Sequence, residues 1–174
     1  MKHLKIFEEF DDDEDFEEYH DINEFENDYD IDTAVDSYIT ALIWTEEGHE
    51  TDYDPWEGKN IYDIDENSKD EIVKEVEWFI NSAGDVFEDM TDDQIGNDLW
   101  LTRNGHGSGF FERINDSENL TIITKLCDVL GNVDAEIGDD GNIYHHSNDK
   151  YKTFNVDEYK KKIEFDKTVN KFNL

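Results

Sequence analysis

The chain has 174 residues and a mass of 20.5 kDa, which is the usual length of one domain. Its 48 acidic residues against 15 Lys and Arg give a formal net charge of -33. Because phosphate binding needs clustered cations, this charge argues against direct binding to nucleic acid or to an anionic membrane surface.

The aromatic content predicts a folded core in spite of the acidity. The chain has 11 Phe, 8 Tyr and 4 Trp, whereas acidic disordered chains are poor in aromatics. Adaptation to high salt is an alternative explanation of the acidity, which the abundant Lys, Asn, Ile and aromatic residues disfavour. Cys127 is the single cysteine, which excludes an internal disulfide. With no long apolar run and acids soon after Met1, we expect an intracellular protein without a membrane span.

The negative charge is concentrated in the first part of the chain. Residues 1–100 hold 35 acids and 5 Lys or Arg, whereas residues 101–174 hold 13 acids and 10 Lys or Arg. The densest stretch is residues 8–30, where 14 of 23 side chains are acidic and none is Lys or Arg. This pattern indicates a polarised surface.

We interpret residues 1–30 as an acidic arm. As a helix, residues 8–30 would carry one carboxylate per roughly 2.5 Å, between the charge spacings of duplex and single-stranded DNA. Repulsion between like charges opposes that helix, so we expect it to form only on a cationic partner. A solvated acidic tail is the alternative. Apolar side chains recur along the arm at spacings of mostly three: Phe10, Phe16, Tyr19, Ile22, Phe25 and Tyr29.

Residues 31–150 predict a compact α+β domain of about four helices and a small antiparallel sheet. A helix follows Asp32 and stops at Gly48, and a second begins at the capping-box pattern of residues 68–71 and ends near Gly84. The pattern at residues 91–94 opens a shorter helix through Trp100, and a fourth helix covers residues 118–130.

The sheet is predicted from alternation and turn residues. Residues 133–144 alternate apolar and polar side chains around Asp140-Gly141, which is typical of a hairpin, and residues 109–113 are a candidate third strand. Residues 151–174 form a Lys-rich C-terminal extension, for which a last strand plus a short helix, or a frayed tail, remain alternatives.

A glycine-rich segment at residues 100–111 is the strongest candidate for a small-molecule site. Three glycines alternate around a histidine, and such spacing permits positive φ and close backbone approach. One hypothesis is that Arg103, Asn104 and His106 bind an anion or perform acid–base work. The alternative, which we favour, is a tight connection from a helix to a strand in which these side chains bond to local groups.

The sequence gives little support for metal binding or for catalysis by a serine or cysteine nucleophile. Residues 63–67 and 139–142 resemble fragments of a calcium loop but do not fit its full pattern. Ser108 lacks the surroundings of a hydrolase nucleophile, and Cys127 falls on the apolar face of a predicted helix. We therefore predict no cofactor, no metal and no enzymatic activity.

Two strings carry a resemblance to known proteins. NDLWLTRNGHGSGF at residues 97–110, with GDDGNIY at residues 138–144, resembles a family of small acidic proteins of bacteriophages and mobile elements, mostly without assigned function. The resemblance covers about residues 33–146 and implies a phage origin and a role in the host cytoplasm early in infection. Separately, the charge distribution is similar to that of phage DNA mimics, which block restriction enzymes or CRISPR effectors.

The leading hypothesis is therefore an anti-defence inhibitor that binds a cationic host nucleic-acid-binding protein, such as a CRISPR nuclease or a restriction enzyme. A small ligand-binding or enzymatic domain centred on the glycine-rich segment, and an acidic assembly protein, are the alternatives. The residues that we expect to bind the partner combine arm carboxylates with aromatic anchors: Asp11, Asp12, Asp13, Glu14, Asp15, Phe16, Glu17, Glu18, Tyr19, Phe25, Tyr53 and Trp56.

Overall fold

Five α-helices and one short hairpin make up the part of the chain that the computed structural model describes, residues 29–48, 54–87 and 89–172. The predicted α+β class is confirmed, with one helix more than expected. The elements are α1 (Ile31–Glu46), α2 (Glu66–Ala83), α3 (Asp92–Arg103), α4 (Ser117–Leu130), β1 (Ala135–Ile137), β2 (Ile143–His145) and α5 (Val156–Phe172).

The core forms where α1 packs on α3 and α2 packs on α1 and α4. Gly96 allows the close approach of α1 and α3, because a Cβ there would lie 1.8 Å from the carbonyl oxygen of Ala34. Three buried rings, of Phe79, Phe87 and Phe110, pack against one another with their centroids 5.5 to 5.6 Å apart. Aromatic packing of this kind is a main source of core stability.

The predicted sheet is confirmed as one antiparallel hairpin of β1 and β2, in which Ile137 pairs with Ile143. The backbone of Ile64, ahead of α2, bridges to Ile143 and brings the hairpin onto the start of α2. The candidate strand at residues 109–113 is wrong. The segment Phe110–Glu112 is a 3-10 turn, because Phe110 enters the core directly after Gly109 and the amide of Glu112 donates to the Gly109 carbonyl at 3.0 Å.

Local capping signals explain most helix boundaries. Gly84 and Gly131 end α2 and α4 with φ of 66° and 69°, as predicted. The predicted capping box at residues 68–71 is wrong. Asp65 caps α2 by accepting from the amide of Ser68 at 3.0 Å, and Ser68 is buried inside the helix.

Residues 151–172 contain neither of the two predicted alternatives, since a 17-residue helix follows a 3-10 turn at Asp149–Thr153. The amide of Glu158 donates to the side chain of Asn155, which caps α5, and Val156 and Ile163 pack against the core. Tyr151 is buried beside Trp78, with ring centroids 5.4 Å apart. The Lys-rich extension therefore begins inside the core and continues as α5.

Candidate partner-binding surface

Arg103 lies in the interior of the domain. It occupies the last turn of α3, and its side chain donates to Glu75 Oε2 at 2.6 Å and to the Tyr38 hydroxyl at 2.9 Å. It also donates to the backbone carbonyls of Leu130 and Gly131 at 3.0 and 2.8 Å. Burial favours the neutral form of this guanidinium, but its interactions and hydrogen bonds with Tyr38 and with the Glu75 carboxylate raise the Arg103 pKa above its usual value. The guanidinium is thus held by protein groups.

The polar network continues to a neutral histidine. The Tyr38 hydroxyl, which accepts from Arg103, also hydrogen-bonds with His145 Nε2, 2.9 Å away. His145 Nδ1 hydrogen-bonds with the Ser147 hydroxyl at 3.0 Å, and the tautomer of the ring decides which of its two nitrogens donates. Burial lowers the pKa of His145 to about 3, with the Arg103 charge as a further cause. The 4.0 Å approach of His145 to Glu75 is therefore not an ion pair at neutral pH.

The other two candidate residues of the glycine-rich segment, Asn104 and His106, are separated from this network. The Asn104 side chain joins the end of α3 to the segment after α4 by donating to the Trp100 carbonyl and accepting from the Val133 amide. His106 is exposed, and its ring stacks on that of Trp100 at a centroid distance of 6.1 Å. Arg103, Asn104 and His106 therefore do not converge on a common space, and two surface pockets beside α2 and α5 are lined by other residues.

The three glycines of that segment have a conformational role. Gly105, Gly107 and Gly109 all have positive φ, of 70°, 76° and 131°. A Cβ on Gly109 would meet the Thr102 hydroxyl at 2.2 Å, so this position also requires a missing side chain. The segment is a tight connection, but it enters a 3-10 turn where a strand was expected, and the partners of Arg103 lie on other helices and not on local groups.

Each of the two arginines of the chain forms an ion pair with a buried carboxylate. Arg113 donates to Asp98 Oδ2 at 2.7 Å, just as Arg103 binds Glu75. Of the 32 acidic residues in the part of the chain that the structure describes, only Glu75 and Asp98 are buried. Against the remaining 30 carboxylates, this part of the chain has 11 lysines.

Those lysines are gathered at one end of the chain. Seven of the 11 fall within residues 150–172, so the other described segments place 26 unburied carboxylates against four lysines, Lys59, Lys69, Lys74 and Lys125. Acidic side chains at the hairpin are held in fixed positions. Asp140 accepts from the Asn142 amide and the Tyr144 hydroxyl, and these bonds lower the pKa of Asp140. This surface is strongly anionic at neutral pH.

Two large aromatic side chains stand out from this acidic surface. Trp44, on α1, is 71% exposed, and Tyr62, in the 3-10 turn Ile61–Asp63 that packs on α1, is 89% exposed. Glu46 and Asp63 adjoin them in sequence. Large rings left in water are typical of interaction surfaces.

Sequence reasoning missed both residues, although helix geometry contains the signal for Trp44. At 100° per residue, Trp44 points opposite the apolar face set by Tyr38, Ile39 and Leu42. The predicted anchor Trp56 is 7% exposed and belongs to the core. The other predicted partner-binding residues, namely Asp11, Asp12, Asp13, Glu14, Asp15, Phe16, Glu17, Glu18, Tyr19, Phe25 and Tyr53, lie outside the described residues.

The described chain contains no group of three His, Cys, Asp or Glu side chains arranged to hold a metal ion. Among its helices, none combines the length and apolar character that crossing a membrane requires. Comparison with protein-family models, with curated proteins and with solved structures gives no match.

Proposed function

We propose that this chain is an inhibitory binding protein whose acidic surface occupies the cationic channel of a nucleic-acid-binding host protein. The partner class is a nuclease of a defence system, a CRISPR effector or a restriction enzyme, in the cytoplasm of a bacterium infected by a phage. In this account the chain itself performs no catalysis and binds no nucleic acid.

The observation that carries the proposal is the uneven neutralisation of charge. The two arginines pair with the buried carboxylates of Glu75 and Asp98, and seven of the 11 described lysines fall within residues 150–172. The rest of the described surface therefore presents carboxylates with few cations among them. Such a surface attracts a cationic channel over long range and speeds encounter with it.

Charge alone gives the binding little specificity, and the exposed aromatic rings provide that specificity. Carboxylates on a rim contribute mainly to the rate of association, whereas buried aromatic anchors contribute most of the free energy of binding. Among the large hydrophobic side chains of the described residues, Tyr62 and Trp44 have the greatest exposed fractions. We propose them as anchors in place of Trp56, which the core already holds.

The acidic arm extends the same chemistry. Residues 11–18 contain seven carboxylates, which we propose as surrogates of phosphates along the partner's channel. The aromatic side chains of the arm would add contacts of the kind that bases make. These assignments rest on sequence, as residues 1–28 lie outside the described residues.

The experiment is capture of host proteins on the immobilised full chain. A bacterial lysate freed of nucleic acid is applied at about 50 mM salt, and bound proteins are eluted either with duplex DNA or by raising the salt to about 200 mM. We expect a nuclease or another nucleic-acid-binding protein that both treatments release. Captured proteins that DNA does not displace would contradict the proposal.

A matched pair of variants separates the arm from general acidity. The first variant changes Asp11, Asp12, Asp13 and Asp15 to Asn, and the control removes four charges from α5 through Asp157→Asn, Glu158→Gln, Glu164→Gln and Asp166→Asn. We expect reduced capture with the first variant only. Equal loss with both would mean that net charge, and not its position, governs binding.

A further inference from the structure

Helix α5 has a basic and apolar outer face that nothing in the described chain covers. This outer face presents Lys161, Lys162, Phe165 and Val169, whose spacing places them on one side of the helix, with Glu158 one turn before them. All four are exposed, and Phe165 is 67% exposed. An aromatic ring that lies among lysines on the exposed side of its helix indicates a surface that binds a partner with apolar and anionic groups.

The opposite side of α5 is anchored to the domain. Ile163 packs against the core, and Lys160 lies beside the end of α2 with its Nζ 3.5 Å from the Ala83 carbonyl oxygen. Lys167 forms an ion pair with Glu118 of α4. The outer face is therefore presented in a fixed orientation.

The acidic arm leaves the domain next to this helix. Tyr29 is the first described residue, and its ring packs edge-on against Phe87 at a centroid distance of 6.4 Å. Tyr29 and Ile31 line a groove of about 990 Å³ together with Lys160 and Ile163 of α5. Residues 1–28 are thus tethered at the side of α5.

The charges of the arm and of α5 are complementary. Residues 1–28 carry 13 acids and two lysines, whereas residues 150–172 carry seven lysines and four acids. The other described segments are strongly acidic and repel the arm. The arm also carries Phe16, Tyr19 and Phe25, which can cover Phe165 and Val169.

We propose that the outer face of α5 binds residues 8–28 of the same chain. The segment is long enough, because 21 residues span up to about 70 Å when extended, and the four face residues cover about 12 Å of helix. Exposed ion pairs are individually weak and are screened by salt, so this contact is reversible. A more cationic partner would compete with α5 for the arm. The intramolecular contact does not depend on the proposed function and holds without any host protein.

Zero-length carbodiimide crosslinking of the purified full chain tests this contact. It joins carboxylates to lysines that touch them, and mass spectrometry identifies the pairs. We expect Lys161 and Lys162 to join acids of residues 8–28 severalfold more often than do the α2 lysines Lys69 and Lys74. This excess should fall severalfold between about 50 mM and about 200 mM salt. Equal yields at the two lysine pairs would overturn the proposal.

Mixing isotopically light and heavy copies separates contacts within a chain from contacts between chains. The proposal expects light–light and heavy–heavy products only. Mixed products in the proportion of random pairing would overturn the intramolecular contact and indicate that α5 binds the arm of another copy.

Variants supply a second readout in the full chain. We expect Lys161→Glu with Lys162→Glu, and separately Phe165→Ser, to speed hydrogen exchange at the amides of residues 8–28. The control Lys69→Glu with Lys74→Glu makes the same charge change and should leave this exchange as in the wild type. Unchanged exchange in the α5 variants, with circular dichroism confirming their fold, would overturn the proposal. Because no host protein is present, a failed capture experiment leaves these outcomes unaffected.

Discussion

Replacing Arg103 by Met tests whether this residue is a buried structural cation. The substitution keeps an unbranched apolar stem and removes four hydrogen bonds, to Glu75, Tyr38, Leu130 and Gly131. It leaves Glu75, whose side chain is 1% exposed, without its cation. Glu75 Oε1 already lacks a hydrogen-bond partner among the described residues, so no second donor compensates there.

The magnitude follows from these contacts. Removing one member of a buried ion pair costs about 3–5 kcal/mol, because the remaining charge stays desolvated. The Leu130 carbonyl keeps the donor of Asn148, but the Gly131 carbonyl loses its side-chain donor at a cost of about 1 kcal/mol. We expect a loss of about 4 kcal/mol in the free energy of unfolding, a large share of the about 5–15 kcal/mol typical of a domain.

Urea unfolding followed by tryptophan fluorescence measures this loss. With a slope of about 2 kcal/mol per molar urea, the midpoint should fall by about 2 M. Adding Glu75→Gln removes the unpaired charge, so the double variant should recover about half of the loss. A loss below about 1 kcal/mol in Arg103→Met would refute the buried-pair account and return Arg103 to the list of candidate ligand-binding residues.

Three further predictions concern other parts of the structure. As the pH falls from 6.5 to about 3, His145 alone should lower the free energy of unfolding by about 1.4 kcal/mol per pH unit. The lowered His145 pKa keeps the ring unprotonated in the folded chain, whereas the unfolded chain takes up a proton. Thermal denaturation as a function of pH measures this loss of stability. Gly96→Ala should cost about 2–3 kcal/mol in urea unfolding, because the new Cβ meets the Ala34 carbonyl oxygen. Trp44→Ser with Tyr62→Ser should change stability by less than about 0.5 kcal/mol but weaken partner binding at least about tenfold, measured by calorimetric titration of the captured partner.

Each of these predictions has its own control. His145→Gln should flatten the wild-type pH slope, and an unchanged slope would assign it to other groups. Gly105→Ala meets no atom within 4 Å but has a φ of 70°, so it should cost only about 1 kcal/mol; a Gly96→Ala loss no larger than this would contradict the packing argument. Phe111→Ser removes another half-exposed ring and should leave partner binding unchanged.

Local signals predicted much of the fold. The end of α4 was predicted from the stop at Gly131, and the helix begins one residue before the predicted residue 118, after the cap at Asp116. The length of helix α5 was not predicted, because its packed side is narrow: Val156 and Ile163 are the packed apolar positions in a stretch crowded with lysines. Its formation depends on a surface supplied by α2 and α4.

The candidate site was less accessible to sequence reasoning, because burial is decided by distant partners. The sequence places Arg103 beside glycines, which favours a loop, yet its ligands Tyr38 and Glu75 come from two other helices, 65 and 28 residues away. Trp56 follows the only proline in a polar stretch, and its burial depends on tertiary packing. Trp44 could have been identified, since its position opposite the apolar face of α1 is a local property.

The central claim is that the acidic surface competes with nucleic acid for a cationic channel. The most direct measurement is the fluorescence anisotropy of a labelled duplex bound to the captured nuclease, titrated with the full chain at several salt concentrations. The account predicts complete release of the duplex at one chain per binding site, with an apparent affinity that falls steeply as salt rises. A chain that binds the nuclease while the duplex stays bound, or that binds with no dependence on salt, would contradict it.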